Sequence, residues 1–267
     1  VPFDTQFAYE RSGARTLFLS DLHLGALGSR PDRLLEFLQT TPAATYILVG
    51  DVLDLWQPLL PHWTKHDQAV IDHLNARAAR GARVVYVRGN HDPHPGQAPD
   101  HARLDAEYLP EYVHEAPGRA RYLVIHGDEV DSRLLRSHGA TRFGSRVDHN
   151  LRRLDEKLRA WRNRSRNETR SVIEAAICQL NALAYAGQAH ERALTDLARA
   201  RGLHGVICGH FHLPKLHQDH GVVYANCGDW VDSFTALAET HDGRLRLLGG
   251  RSAARVADDP KPAKARA

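Results

Sequence analysis

Five short apolar runs punctuate the chain, and each ends in a polar cluster: TLFLS runs into Asp21, TYILV into Gly50, RVVYV into Gly89, YLVI into His126 and GVIC into Gly209. Near-continuous apolar runs of this length fit strands covered on both faces rather than strands with one wet side. Between them, RPDRLLEFLQ and KHDQAVIDHLNARAARG carry apolar positions at helical spacing, the second closed by Gly81 in the manner of a helix C-cap. Strand and helix alternate, which predicts a sheet layered with helices. The late runs VVYAN, FTALAE and RLRLLG have no helix between them and read as an antiparallel stretch.

Residues 133–204 break the rhythm. They hold no convincing strand, whereas RSVIEAAICQLNALAYA and ERALTDLARARG show helical periodicity, so a helical insertion between core segments 1–132 and 205–250 is expected. From Arg133 to Arg170 the segment carries twelve arginines and lysines against four acids. The tail 251–267, ending DDPKPAKARA, lacks periodicity and is expected to be disordered.

Composition changes this picture little. A chain of 267 residues with 42% hydrophobic and 25% charged residues is ordinary for a folded domain, and 35 basic against 32 acidic residues names no partner. Cys178, Cys208 and Cys227 are widely spaced and odd in number, against a disulfide framework or zinc knuckle. The opening residues lack an apolar core of signal-peptide length, and no run approaches the ~18 apolar residues of a membrane span. A cytoplasmic location is the expectation.

The chemistry lies where the runs end. SDLHLG supplies Asp21 and His23, GDVLDLW supplies Asp51 and Asp54, GNHD supplies Asn90, His91 and Asp92, IHGD supplies His126 and Asp128, and GHFHLP supplies His210 and His212. In layered α/β folds ligands gather beyond the carboxyl ends of strands, so these clusters should converge. Any one of them could be a turn or a satisfied core histidine; their joint occurrence in order cannot be explained that way. Carboxylates, an amide oxygen and imidazoles suit manganese, iron or zinc, and the absence of thiolates argues against a closed structural zinc site. Gly50, Gly89, Gly127 and Gly209 each adjoin a candidate ligand, where the backbone must turn tightly.

D-x-H, GD-x-x-D, GNH[DE], H-G-D and G-H-x-H together resemble the calcineurin-like metallophosphoesterases, over blocks running from Asp21 to His212. The resemblance implies a four-layer αββα sandwich and a two-metal hydrolase. It implies one divalent ion on Asp21, His23, Asp51 and His212, and a second on Asp51, Asn90, His126 and His210, with Asp51 bridging and manganese the first expectation for both. Two dications ~3.5–4 Å apart repel and need negative charge between them, and together they lower the pKa of a shared water. His91 is then the candidate proton donor to the leaving oxygen, with Asp54 orienting its imidazole; Asp92 and Asp128 are expected to hold ligands in place.

Within that superfamily, SDLHLG, the GD-x-x-D-x-W block ending at Trp56 and NCGDWVDSFTAL resemble the UDP-2,3-diacylglucosamine diphosphatase branch. That branch cleaves a nucleotide-linked acylated sugar on the cytoplasmic face of the inner membrane to UMP and a lipid monophosphate. The basic insertion would then offer peripheral contact to anionic headgroups. His91 stands where the best-known enzymes of the branch carry arginine. The alternatives are a smaller phosphodiester, phosphomonoester or nucleotide substrate, and a nuclease. Between Arg133 and Arg170 only Phe143 and Trp161 could stack on bases, so no nucleic-acid partner is expected. The sequence carries no reading of oligomeric state.

Overall fold

The computed structural model describes residues 14–55, 62–94, 96–130 and 189–250. In chain order these form β1 (Ala14–Leu19), α1 (Pro31–Thr40), β2 (Ala43–Val49), α2 (Lys65–Ala79), β3 (Arg83–Val87), β4 (Glu107–Leu109), β5 (Tyr112–Glu115), β6 (Arg121–Val124), α3 (Ala189–Ala200), β7 (Gly205–Cys208), β8 (Lys215–His217), β9 (Val223–Asn226), β10 (Thr235–Glu239) and β11 (Leu245–Gly249). Two mixed sheets result, in the orders β11-β10-β1-β2-β3-β4 and β5-β6-β7-β9-β8. In the first, β1 to β4 run parallel to one another and β10 joins β1 antiparallel. In the second, β6, β7 and β9 are parallel, flanked by antiparallel β5 and β8.

Alternation along the strands explains the layering. Leu17 and Leu19 of β1 face one way, with Tyr46 and Leu48 of β2, onto Leu34, Phe37 and Leu38 of α1 and Val70, Ile71 and Leu74 of α2. Phe18, Ile47, Val49, Val85 and Val87 face the other way and meet Val124, Ile207 and Ala225 of the second sheet. The far face of that sheet, with Leu123, Val206 and Tyr224, is covered by Leu194 and Ala198 of α3. Helices, sheet, sheet and helix are therefore stacked in four layers, and the central strands are apolar on both faces because both faces are buried.

α2 begins with a cap that the apolar pattern does not reveal. Thr64 Oγ1 accepts from the backbone of His66 and Asp67, and the Asp67 carboxylate accepts from Thr64 N at 2.7 Å. Such a box contributes about 1 kcal/mol. The other Asp67 oxygen accepts from Gly25 N at 3.1 Å, which ties the helix start to the loop after β1. The predicted C-terminal cap is present, with Gly81 at φ 93° after Arg80.

The late strands differ from the antiparallel reading. β10 and β11 do pair antiparallel, but β9 belongs to the other sheet, parallel to β7, with β8 antiparallel on its far side. The chain changes sheets in the turn Cys227–Phe234, held by Cys227 N donating to Cys208 O and Trp230 N donating to Asp21 O. Trp230 is the plug of this turn, fully buried against Phe37 with ring centroids 5.1 Å apart. Of the expected insertion, α3 packs on the second sheet; residues 131–188 and the tail from 251 lie outside the described residues.

Candidate metal centre

The parallel strands of both sheets deliver their C-terminal loops to one place. The loops after β1 and β2 are zipped together by Asp21 N to Gly50 O, His23 N to Asp51 O and Leu24 N to Val52 O, at 2.9–3.0 Å. Among the described residues seven non-glycine residues have positive φ, and five are predicted ligands: Asp21 (54°), His23 (46°), Asp51 (52°), His210 (73°) and His212 (58°). The left-handed region costs an L-residue roughly 1–2 kcal/mol. Its concentration here means that side-chain direction, not backbone comfort, sets the loop conformations.

Asp92 fastens the centre from below. Its carboxylate accepts from the backbone N–H of Asp51, Val52, Leu53 and Gly89 at 2.8–2.9 Å and from Tyr86 Oη at 2.5 Å. The tight approach explains two glycines. A Cβ on Gly89 would lie 2.3 Å from Asp51 Oδ1, and one on Gly209 would lie 1.6 Å from Ser20 Oγ and 2.4 Å from Asp21 Oδ2.

Above this floor the side chains converge. Asp51 Oδ2 lies 3.3 Å from His126 Nε2, 3.9 Å from His91 Nε2 and 4.0 Å from His23 Nε2. Asp21 Oδ1 lies 3.2 Å from His212 Nε2 and 3.8 Å from His23 Nε2. Three groups thus each bring their ligand atoms within 4.8 Å of one another: Asp21 with His23 and His212, Asp21 with Asp51 and His126, and His23 with Asp51 and His91. His210 donates its backbone N–H to Asp21 Oδ2 at 2.9 Å and sets its ring 5.1 Å from that of His126. Asn90 lies on the same loop as His91, with Oδ1 buried.

A cation is the partner this arrangement fits. Asp21 Oδ1, His23 Nε2, Asn90 Oδ1 and His126 Nε2 are all buried without a hydrogen bond. Each such orphan costs free energy that a shared dication would offset. The electrostatics agree. Burial opposes ionisation of Asp21, yet His212 and His126 outweigh it and bring its pKa down to about 2. Asp51 is likewise held well below the ordinary range by His126 and His91 despite its burial. Burial disfavours charged His212 and His91, but Asp21 lifts the first to about 10 and Asp51 the second to about 9. The carboxylates thus draw positive charge into the centre, the part a dication would fill.

The supporting groups divide into foreseen and unforeseen. Asp54 Oδ2 lies 3.2 Å from His91 Nδ1, as the motif implies, and also 3.3 Å from His23 Nδ1. Burial disfavours charge on His126, but Asp51 above all, then Asp21 and Asp128, hold its pKa well above the ordinary value. His94 turns away to meet Arg88 Nη1 at 2.9 Å. Three residues escaped the sequence reading. Asp229 and Asp232, in the turn between sheets, form a further group with His212. The GDW block was visible in the sequence, but not the face it presents. His190, at the start of α3, packs its ring 4.5 Å from that of Phe211 and 6.0 Å from that of His210. Trp56 lies outside the described residues.

Two sheets sandwiched between helices, with aspartates, histidines and an asparagine converging from the strand ends, define a metal-dependent phosphoesterase architecture. The family model for calcineurin-like phosphoesterases matches residues 14–214, and the chain belongs to that family of metal-dependent hydrolases. It is 29% identical over 248 residues to a UDP-2,3-diacylglucosamine hydrolase of Shewanella pealeana, covering 86% of this chain and 95% of the relative. It is 30% identical over 237 residues to a UDP-2,3-diacylglucosamine hydrolase of Ralstonia nicotianae, covering 82% and 85%. Among solved structures, a dimetal phosphatase from Danio rerio overlays with a TM-score of 0.44 at 13% identity, over 89% of this chain and 96% of that one.

Proposed function

We propose that this protein hydrolyses the phosphoanhydride of a nucleotide-linked acylated sugar of the UDP-2,3-diacylglucosamine type, releasing UMP and a lipid monophosphate. The observation that carries the reading is the joint one. Asp21, His23, Asp51, His126 and His212 bring ligand atoms together at the strand ends, in a chain alignable over more than four-fifths of its length with two hydrolases named for that substrate. Asp21, His23, Asp51 and His212 would hold one ion and Asp51, Asn90, His126 and His210 the other, with manganese the first expectation. Bound there, divalent ions supply Lewis acidity and an ionisable water.

The chain's own groups account for the remaining steps. His91 Nε2 faces the centre while Nδ1 rests against Asp54, so the imidazole is held in one orientation. Burial opposes charging this ring, while Asp51 and Asp54 favour its protonated form, the form a donor to the leaving oxygen requires. The basic segment 133–170 would attract anionic headgroups and bring the enzyme to a membrane surface. No described helix is long and apolar enough to cross a membrane. A smaller phosphoester is the second reading, favoured by His91 standing where the best-known enzymes of the branch carry arginine.

The test is incubation of the manganese-loaded protein with UDP-diacylglucosamine, UDP-sugars, cyclic nucleotides and simple phosphoesters in oxygen-18 water. Preferred turnover of the diacylated substrate, with label in UMP or the lipid phosphate, supports the proposal. Turnover of simple esters alone replaces the substrate and keeps the reaction class. No turnover of any substrate with any divalent metal removes the class.

A further inference from the structure

Two of the candidate imidazole ligands turn Nδ1 away from the centre onto an acceptor. His126 Nδ1 lies 3.0 Å from Val49 O, and His23 Nδ1 lies 3.3 Å from Asp54 Oδ2. In both, Nε2 is then the atom aimed inward. His212 has the same sense at longer range: Nε2 lies 3.2 Å from Asp21 Oδ1, and Nδ1 faces Asp229 Oδ2 at 3.9 Å, beyond hydrogen-bond distance but within reach of its charge. Asp229 is fully buried, and its orientation is set by its own turn. One oxygen accepts from Val231 N at 2.7 Å and from Asp232 N, and Ser233 N approaches both oxygens at 3.2–3.3 Å. Ser233 Oγ accepts from Asp229 N at 2.8 Å, which closes the loop. Three backbone N–H groups thus hold Oδ1 and one of them also reaches Oδ2, the oxygen that faces His212.

We infer that Asp229 is a positioning residue for the metal centre: its buried carboxylate on the Nδ1 side of His212 favours the proton on Nδ1, leaves the Nε2 lone pair free toward the centre, and so sets affinity at the ion His212 serves. A ligating histidine ordinarily donates its second ring N–H to a carboxylate or carbonyl, which orients the ring and raises its basicity. The inference rests on the proposal that His212 is a ligand, and the experiment separates the two.

Manganese binding to the chelator-treated full-length protein is measured by titration calorimetry, and ions per chain by elemental analysis, for wild type, D229N, H212A and S233A. The His212 tautomer is read from nitrogen-15 ring shifts. D229N keeps an acceptor for the turn but presents an amide N–H to Nδ1. It is expected to weaken manganese binding about 10- to 100-fold and to shift His212 away from the Nδ1–H tautomer, with the thermal midpoint of the metal-free protein close to that of wild type. S233A, which loosens the turn without touching the carboxylate, is expected to bind manganese as wild type does. Unchanged affinity and tautomer in D229N, while H212A weakens binding, would overturn the inference alone. Unchanged affinity in H212A would remove His212 as a ligand and the inference with it. An S233A loss equal to that of D229N would reduce Asp229 to a turn residue. A third manganese per chain that D229N abolishes would make the cluster a metal site and overturn the positioning role.

Discussion

A single oxygen, Asp51 Oδ2, faces imidazoles from three different strand ends, those of His23, His91 and His126. Asp51→Ala should therefore empty the whole centre and not half of it: elemental analysis should find close to no ions per chain, and a normal complement of two would end the bridging assignment. His91 offers a contrasting expectation, because its neighbour Asp54 also supports His23. His91→Ala should retain metal content and lower kcat about 10²- to 10⁴-fold, most for leaving groups of high pKa. A uniform loss across a leaving-group series would remove it as the acid. The two substitutions separate holding the ions from using them.

Glu239 of β10 shows how an element is pinned at the end of the sheet away from the centre. Its carboxylate meets Arg15 and Thr16 of β1 and, at 2.9 Å, His114 Nε2 of β5, so one buried side chain joins strands of both sheets. Burial works to raise its pKa, but His114 and Arg15 outweigh burial and hold it below the ordinary 4.5. A lowered carboxylate pKa stabilises the fold fully above the unfolded value, and that contribution is lost as pH falls through the folded value. Glu239→Gln should cost about 1.5–3 kcal/mol at neutral pH and flatten the loss of stability between about pH 5 and 3. Urea melts across that range check it, and an unchanged acid slope would contradict it. Strand length explains why parts of the fold were hidden in the sequence. β4, β5 and β8 span three or four residues, too few for alternation to register. β1, β2, β3, β6 and β7 were legible because burial on both faces makes each a continuous apolar run. The sheet to which β9 belongs is decided by pairing with β7, a long-range fact that no local pattern carries.

Across the whole molecule, ligand candidates from β1, β2 and β3 lie in one sheet and those from β6 and β7 in the other, so bound ions would fasten the two sheets to each other. Metal at 100-fold excess over its Kd should add about 2.7 kcal/mol, which in a chain of this size raises Tm by about 5–10 °C. Calorimetry with chelator and then with manganese measures the difference, and equal midpoints would show that the centre does not bind under those conditions. The ligand candidates themselves were legible because each follows a strand directly. Asp229 was not, since its value to His212 depends on the chain crossing between sheets at Trp230.

That crossing has a consequence for how the molecule matures. The blocks that must meet begin at Asp21 and end beyond His212, in loops held at unfavourable backbone angles. No early fragment of a growing chain can assemble the centre. Catalytic competence would therefore arrive only after both halves have docked, and a nascent hydrolase would stay inert until synthesis has passed His212.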